Sequence, residues 1–309
     1  MKDLLVSVVI PVYNEEGNID ALLKALLPVL REYQYEIIYV NDGSQDGTVD
    51  KIKAHCQKNP QIKLISFNRN FGHQNALTAG YRIAKGDCVI SMDADLQDPP
   101  EIIPEMIKLW QHGSKIVYAK RKKRDVDNWL KKLTAHGFYK LMNFLSDVPI
   151  PHDVGDFRLL DRVVVNFLND LPEQSRFLRG LVAWSGYPST FVEFDRKPRH
   201  KGKTHYTVSK MINFAFRGIT SFSTKPLRIA SYAGFATAVV GFIGIIYAVV
   251  GRLFFEAYWV TGWTALFVAI MFLGGVQLIT IGIVGEYIDK IYIEIQKRPM
   301  YIVSETVNL

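Results

Sequence analysis

Over its first 120 residues the chain alternates short apolar runs with amphipathic stretches. Leu5–Val12 is almost continuously apolar, as a parallel strand covered on both faces must be. A helix follows from Gly17 or Asn18, with Ile19, Leu22, Leu23, Leu26 and Leu27 on one face. Tyr35–Val40, Lys63–Phe67, Cys88–Met92 and Lys115–Ala119 repeat the strand pattern. Thr48 to about Cys56, Asn75–Ala84 and Glu101–Gln111 repeat the helical one. This alternation predicts an α/β fold with a doubly wound, mostly parallel sheet flanked by helices.

Beyond Ala119 the pattern changes. The basic run Lys120-Arg121-Lys122-Lys123-Arg124 precedes a predicted helix from about Trp129 to Leu145. Asp156–Leu160 reads as a short strand near the site, Phe177–Trp184 as helix and Thr190–Phe194 as strand. Arg196–Lys203 is a polar, basic loop, and Tyr206–Phe222 is an amphipathic helix suited to a membrane interface. Two charge-free runs follow, Ile229–Gly251 and Ala257–Gly285, of 23 and 29 residues. About 20 apolar residues cross a bilayer core, so both are long enough to span it. Lys and Arg flank the pair on its outer sides (Arg217, Lys225, Arg228; Lys290, Lys297, Arg298), which places both termini in the cytoplasm. Tyr258, Trp259 and Trp263 fit an interfacial aromatic belt between the spans. The expected division is a catalytic domain over 1–204, an interfacial helix over 205–228, a two-span hairpin over 229–285 and a cytoplasmic tail over 286–309. The expected address is the cell's inner (plasma) membrane, crossed more than once. No N-terminal signal peptide is visible. Two spans offer little membrane area, which is compatible with a homo-oligomer.

Charge sharpens this picture. The chain carries +7 overall, with −1 on residues 229–309 and +8 on the first 228. A basic domain tethered at a membrane attracts anionic headgroups and phosphorylated ligands. No nucleic-acid-binding motif is present, so nucleic acid is not an expected partner. Cys56 and Cys88 lack zinc spacing and fit buried thiols in a reducing compartment.

Four predicted strand ends carry polar clusters: Tyr13-Asn14-Glu15, Asn41-Asp42-Gly43-Ser44, Asn68-Arg69-Asn70 and Asp93-Ala94-Asp95. In a parallel sheet these ends share one edge, where open α/β folds bind ligands. Neither G-x-G-x-x-G nor G-x-x-x-x-G-K-[ST] occurs, so the two common phosphate-cradling loops are missing. A bound diphosphate must then meet cations and side chains, and Asp93, Asp95, Arg121 and Arg124 are the candidates. Hard carboxylate oxygens one residue apart suit Mg²⁺ or Mn²⁺. His73, His136 and His152 have no ligand spacing and read as structural.

With these residues in view, the chain resembles the family 2 glycosyltransferases of the polyprenyl-phosphate type. These include dolichol-phosphate mannose synthases and bactoprenol glucosyltransferases. The resemblance rests on Val9-Ile10-Pro11-Val12-Tyr13-Asn14-Glu15-Glu16, Val40-Asn41-Asp42-Gly43-Ser44 and Arg69-Asn70-Phe71-Gly72. Its most specific part is Asp93-Ala94-Asp95-Leu96-Gln97-Asp98-Pro99-Pro100; Gly155–Leu159, Gly285–Ile288 and Arg298-Pro299 extend it towards the bacterial membrane-anchored branch. The resemblance implies a GT-A fold and an inverting transfer of one sugar, best matched by glucose from UDP-glucose, to undecaprenyl phosphate. It implies that Asp42 and the Pro11–Glu15 turn (Pro11, Tyr13, Glu15) hold the nucleotide. Asp93, Asp95 and Gln97 would hold Mg²⁺ or Mn²⁺, and Arg121 and Arg124 would meet phosphates. Asp156 would position acceptor or sugar. The chain departs from the family pattern at Asn41, where an acid is usual, and at Thr204-His205, where Ser-Lys is usual. The acceptor-phosphate role therefore shifts to Arg196, Arg199 and Lys203. Rival expectations are a GDP-mannose-dependent enzyme, a UDP-aminoarabinose-dependent one, a processive synthase and a non-catalytic nucleotide-sugar or lipid binder. The processive synthase is disfavoured because Gln174-Ser175-Arg176-Phe177 lacks the Gln-x-x-Arg-Trp motif.

Overall fold

The computed structural model describes residues 4–122, 151, 154–195, 223–254 and 262–309. The predicted helices 129–145 and 206–222, the loop 196–203, His136, His152, Tyr258 and Trp259 lie outside them, as do Arg124, Arg196, Arg199, Lys203 and His205.

The elements run β1 (Leu5–Val12), α1 (Ile19–Leu30), β2 (Gln34–Asn41), α2 (Thr48–Lys58), β3 (Ile62–Phe67), α3 (His73–Ile83), β4 (Cys88–Ser91). A single 3₁₀ turn at Pro100–Ile102 leads into α4 (Ile103–Gln111). Then come β5 (Ile116–Arg121), β6 (Val154–Asp161), α5 (Arg162–Asp170), α6 (Leu178–Trp184) and β7 (Ser189–Phe194). The C-terminal part holds α7 (Lys225–Phe254), α8 (Trp263–Gln296) and β8 (Val303–Val307). One eight-stranded sheet has the order β7-β5-β6-β4-β1-β2-β3-β8.

The apolar runs become strands because both faces of the sheet are covered. Val6, Val8 and Ile10 of β1 face one side with Leu22 and Leu26 of α1; Val9 faces the other with Ala76 and Leu77 of α3. Burial of each such side chain contributes about 1.5–3 kcal/mol. The α3 face approaches β1 so closely that a Cβ on Gly80 would meet Val9 Cγ1 at 2.2 Å. Only glycine fits that contact.

Two strands depart from the predicted parallel pattern. β6 pairs antiparallel with both β4 and β5, and β8 pairs antiparallel with β3. Because β6 runs backwards, its beginning lies at the edge where the parallel strands end. That puts Asp156 beside Asp93, a placement a parallel strand would not give. The expected boundaries of the C-terminal part also change. The helix that begins at Trp263 runs past residue 285 to Gln296, and Lys297 ends it in the left-handed region (φ 49°). Tyr301 then stacks on Phe67 at 4.9 Å, and β8 completes the edge of the catalytic sheet. Within the expected tail, residues 286–296 continue α8 and residues 303–307 form a strand of the sheet. Its polar, exposed sequence, Val303-Ser304-Glu305-Thr306-Val307, suits an edge strand.

α7 and α8, of 30 and 34 residues, pack as a hairpin. At 1.5 Å per residue they are about 45 and 50 Å long. Within them Lys225–Gly244 and Phe272–Gln296 are long and apolar enough to cross a membrane. Phe235, Phe242, Leu278 and Ile279 point outward from the hairpin, each more than half exposed. An apolar surface of this extent is what a lipid environment covers.

Candidate active site

Four parallel strands end on one edge, and their polar clusters meet there as the sequence predicts. After β1, Asn14 takes a positive φ (56°); its N–H donates to Ser44 Oγ (2.9 Å) and its side-chain oxygen accepts from Gln45 N (2.8 Å). Glu15 N donates to Thr48 Oγ1 (2.9 Å), and Asn18 Nδ2 donates to Glu15 Oε2 (2.5 Å). These bonds tie the β1 turn to the β2 turn. Pro11 is buried in β1, whereas Tyr13 is 46% exposed at the rim, open to a planar ligand.

After β2, Asn41 is structural. Its amide donates to Ser66 Oγ (2.6 Å) and its carbonyl accepts from Ser44 N (3.0 Å). Asp42 is buried and accepts from Phe71 N (2.6 Å) and Gly72 N (2.9 Å), which fixes the loop after β3. Burial raises the Asp42 carboxyl above the usual range, against those two amides. Gly43 has φ 74°, and a Cβ there would meet the Arg69 carbonyl carbon at 2.5 Å, so glycine allows the two loops to touch.

The turn after β4 carries the densest charge. Asp95 is 8% exposed and its Oδ1 accepts from Gln97 N (3.1 Å). Asp98 is 2% exposed and its Oδ2 accepts from Asp93 N (3.2 Å). Between them Leu96 is held at φ 61°, a conformation costly for a residue with a branched side chain. Loss of solvent, then the Asp93 charge, pushes Asp98 up to about 7; Asp93 N–H and Arg121 oppose this. Loss of solvent also raises Asp93; the Asp156 and Asp95 charges add to it, and His73 and Arg179 oppose it. Arg121, at the end of β5, has a buried Nε with no hydrogen-bond partner among the described residues. An unsatisfied buried guanidinium N–H on this edge suits an anionic oxygen.

Asp156 is surrounded by donors. Oδ1 accepts from Arg158 Nη2 (3.1 Å) and Arg179 Nε (3.1 Å); Oδ2 accepts from Arg179 Nη2 (2.9 Å) and lies 3.3 Å from His73 Nε2. Burial would raise its pKa, but the two arginines and His73 hold it well below the usual carboxylate range. The same His73 Nε2 lies 3.7 Å from Asp93 Oδ1. Loss of solvent opposes protonation of His73, yet Asp156 and Asp93 leave its pKa raised.

Among the described candidates, the structure thus brings together Asp93, Asp95, Gln97, Arg121 and Asp156, with Tyr13, Glu15 and Asp42 along the same edge. Two residues of the cluster escape the sequence reading. His73 reads as structural from the sequence, and Arg179 carries no signal there. A lone histidine and an arginine in a helix carry no spacing signal; only the reversed direction of β6 brings Asp156 to them.

The oxygen donors of Asp93 and Asp95 are chemically suited to Mg²⁺ or Mn²⁺. Asp93 and Asp98 are both pushed towards protonation, first by loss of solvent and further by neighbouring carboxylates, a charge that a cation here would offset. Among the described residues no group of three or more His, Cys, Asp or Glu side chains forms a complete metal cage.

Comparison with known proteins adds the rest. The model of glycosyl transferase family 2 matches residues 7–168, and that of the GtrB C-terminal hairpin matches 225–291. The chain is 44% identical over 303 residues to the SfII prophage-derived bactoprenol glucosyl transferase of Shigella flexneri, covering 97% of this chain and 98% of the relative. It is 46% identical to an uncharacterized glycosyltransferase of Synechocystis, covering 97% and 94%. Among solved structures, glucosyl-3-phosphoglycerate synthase from Mycobacterium tuberculosis, with Mn²⁺, UDP-glucose and phosphoglyceric acid, aligns with a TM-score of 0.46. That alignment has 18% identity and covers 71% of this chain and 78% of that one.

Proposed function

This chain belongs to glycosyl transferase family 2, and we propose that it transfers one glucose from UDP-glucose to undecaprenyl phosphate, with inversion, at the cytoplasmic face of the inner membrane. The observation that carries this reading is the 44% identity, over nearly the full length of both chains, with a bactoprenol glucosyl transferase, and the match to the GtrB C-terminal hairpin. The exposed apolar hairpin supports the lipid acceptor, because a polyprenyl tail stays in the bilayer while its phosphate reaches the sheet edge.

The reaction joins a phosphate oxygen of the lipid to the anomeric carbon as the bond to the nucleoside diphosphate breaks. Asp93 and Asp95, with Gln97 beside them, would hold Mg²⁺ or Mn²⁺. What the cation supplies when bound is neutralisation of the charge that grows on the departing diphosphate. Arg121, at the end of β5, would meet the same phosphates. The Pro11–Glu15 turn and Asp42 frame the nucleotide, with Tyr13 at the rim. The acceptor's second pKa is near 6, so it arrives largely dianionic and needs little help from a base. Asp156 agrees with this: a carboxylate held by two arginines and a histidine is a poor proton acceptor. It positions its partners.

The test is a donor panel of UDP-glucose, GDP-mannose and UDP-aminoarabinose with undecaprenyl phosphate and Mg²⁺ or Mn²⁺. Organic-extractable, singly glucosylated lipid is the expected product. Mannolipid would move the assignment to GDP-mannose, and a long polymer or no product would overturn it.

A further inference from the structure

Glu294 sits in the last turn of α8, where a negative charge opposes the helix dipole. Its carboxylate is held there by two backbone amides of the catalytic domain. Gln174 N donates to both oxygens at 3.0 Å, and Ser175 N donates to Oε1 at 3.0 Å. The loop it grips is otherwise built from within. Arg176, 7% exposed, caps the carbonyls of Leu168 (2.8 Å), Leu171 (2.5 Å) and Glu173 (3.1 Å). Two residues beyond Arg176, Leu178 N opens α6 by donating to Gln74 Oε1 (2.9 Å). Gln74 is the neighbour of His73, and Arg179 follows Leu178. His73 and Arg179, with Arg158, converge on Asp156.

A short, unbroken path therefore runs from the second apolar helix to the carboxylates of the site. It passes from Glu294 to the 174–175 amides, to the start of α6, to Arg179 and Asp156, and then to His73 and Asp93. We propose that Glu294 is a positioning residue for sugar transfer. By fixing where α6 begins, it sets the alignment of Arg179 and Asp156 against His73 and Asp93, so the site is fully assembled only while the hairpin is seated on the domain. The proposal rests on the preceding reading that the hairpin carries this enzyme at the membrane. The contact is separable from anchoring, because Tyr301 and β8 tie the chain to the sheet beyond residue 296.

The test uses the full chain in phospholipid nanodiscs, with Glu294→Ala, Glu294→Gln and Arg179→Lys, and the Glu294→Ala/Arg179→Lys pair. Misplacing reacting groups by a fraction of an ångström to an ångström is expected to lower kcat for glucosyl transfer roughly 10- to 100-fold in Glu294→Ala. KM for UDP-glucose should stay within about twofold of wild type, as expected of an effect felt beyond substrate binding. Glu294→Gln, which keeps an acceptor oxygen, should recover most of the rate. The double variant should be no slower than the slower single one, because both act through one path. A wild-type kcat in Glu294→Ala, or losses that multiply in the pair, would overturn the proposal. Should Glu294→Ala be too unstable to purify, Glu294→Asp withdraws the carboxylate by one methylene and is expected to show a smaller fall in kcat; no fall counts against it.

Amide hydrogen exchange decides the same point without substrate. Glu294→Ala should speed exchange across Leu178–Trp184 and at His73–Asn75, whereas a change confined to residues 173–176 would overturn the path. If wild type makes no glucolipid, the functional reading fails while the exchange result still judges the positioning.

Discussion

Two ends of one sheet treat buried carboxylates in opposite ways. At the starting edge of the parallel strands Glu36 is 4% exposed and fully engaged. Ser7 Oγ donates at 2.5 Å, Lys63 Nζ at 2.6 Å and Lys85 N at 2.6 Å. Burial pushes its pKa up, but those three partners bring it below the usual value. At the finishing edge the buried Asp98 and the part-exposed Asp93, its side chain 39% exposed, are pushed up by loss of solvent, and the negative charges beside them contribute. The difference separates a carboxylate that completes the fold from carboxylates left short of positive charge. Asp156 shows that the division cuts through the site itself, since it is supplied with donors as Glu36 is.

The comparison is broken most directly at Asp95. Asp95→Ala should lower transfer on the order of 10²–10³-fold or more, the scale of losing a preorganised electrostatic contact. Thermal unfolding should move little, because the removed charge sits among like charges. Full turnover by the purified variant would sink the cation assignment. Glu36→Gln should do the reverse. Breaking a buried pair leaves Lys63 without its counter-ion and should reduce stability by about 3 kcal/mol. Activity per folded molecule should stay unchanged. Urea unfolding and transfer assays on the two variants, read together, test whether the two edges really have separate duties.

Asp98 sharpens the contrast through pH. Its folded pKa lies above the unfolded value, so the folded state holds the extra proton between about pH 4 and 7. The stability this contributes is present at low pH and is lost as pH rises through about 7. In cation-free protein the Asp98 contribution to Tm should therefore fall over that window, and Asp98→Asn should flatten the slope. Adding Mn²⁺ should flatten it as well. A wild-type slope unchanged in Asp98→Asn would remove Asp98 from the charge-deficient group.

Much of this contrast was legible in the sequence, and the limits of legibility are physical. Apolar runs such as Val8–Val12 and Ile37–Val40 are too continuous for anything but covered strands, so the parallel core and the edge with Asp42, Asp93 and Asp95 were readable. The direction of β6 was not. A strand's own pattern is the same whether its neighbours run with it or against it, and the direction of β6 is what brings Asp156 to His73 and Arg179. β8 was not readable for a related reason. Five mostly polar residues after a long apolar helix look like a tail until an open edge, here β3, pairs with them. Glu36 gave no signal either, because Lys63 and Ser7 lie on neighbouring strands and meet it only once the sheet forms.

The smallest expected effect lies where the hairpin meets the domain. Glu173 is raised by burial and by the charge of Glu294, with Arg176 opposing. Its ionised form is thus penalised in the folded state, and that penalty is complete only above its folded pKa. Glu173→Gln removes the penalty while leaving the Glu173 carbonyl to accept from Arg176 Nε. A gain of a few tenths of a kcal/mol is expected near neutral pH, the scale of a partly solvated charge pair, and none near pH 4, where the acid is already protonated. Denaturant unfolding at the two pH values checks it. A gain of equal size at both would mean that Glu173 is limited by packing, and that Glu294 exerts no charge on its neighbour while it grips Gln174 and Ser175.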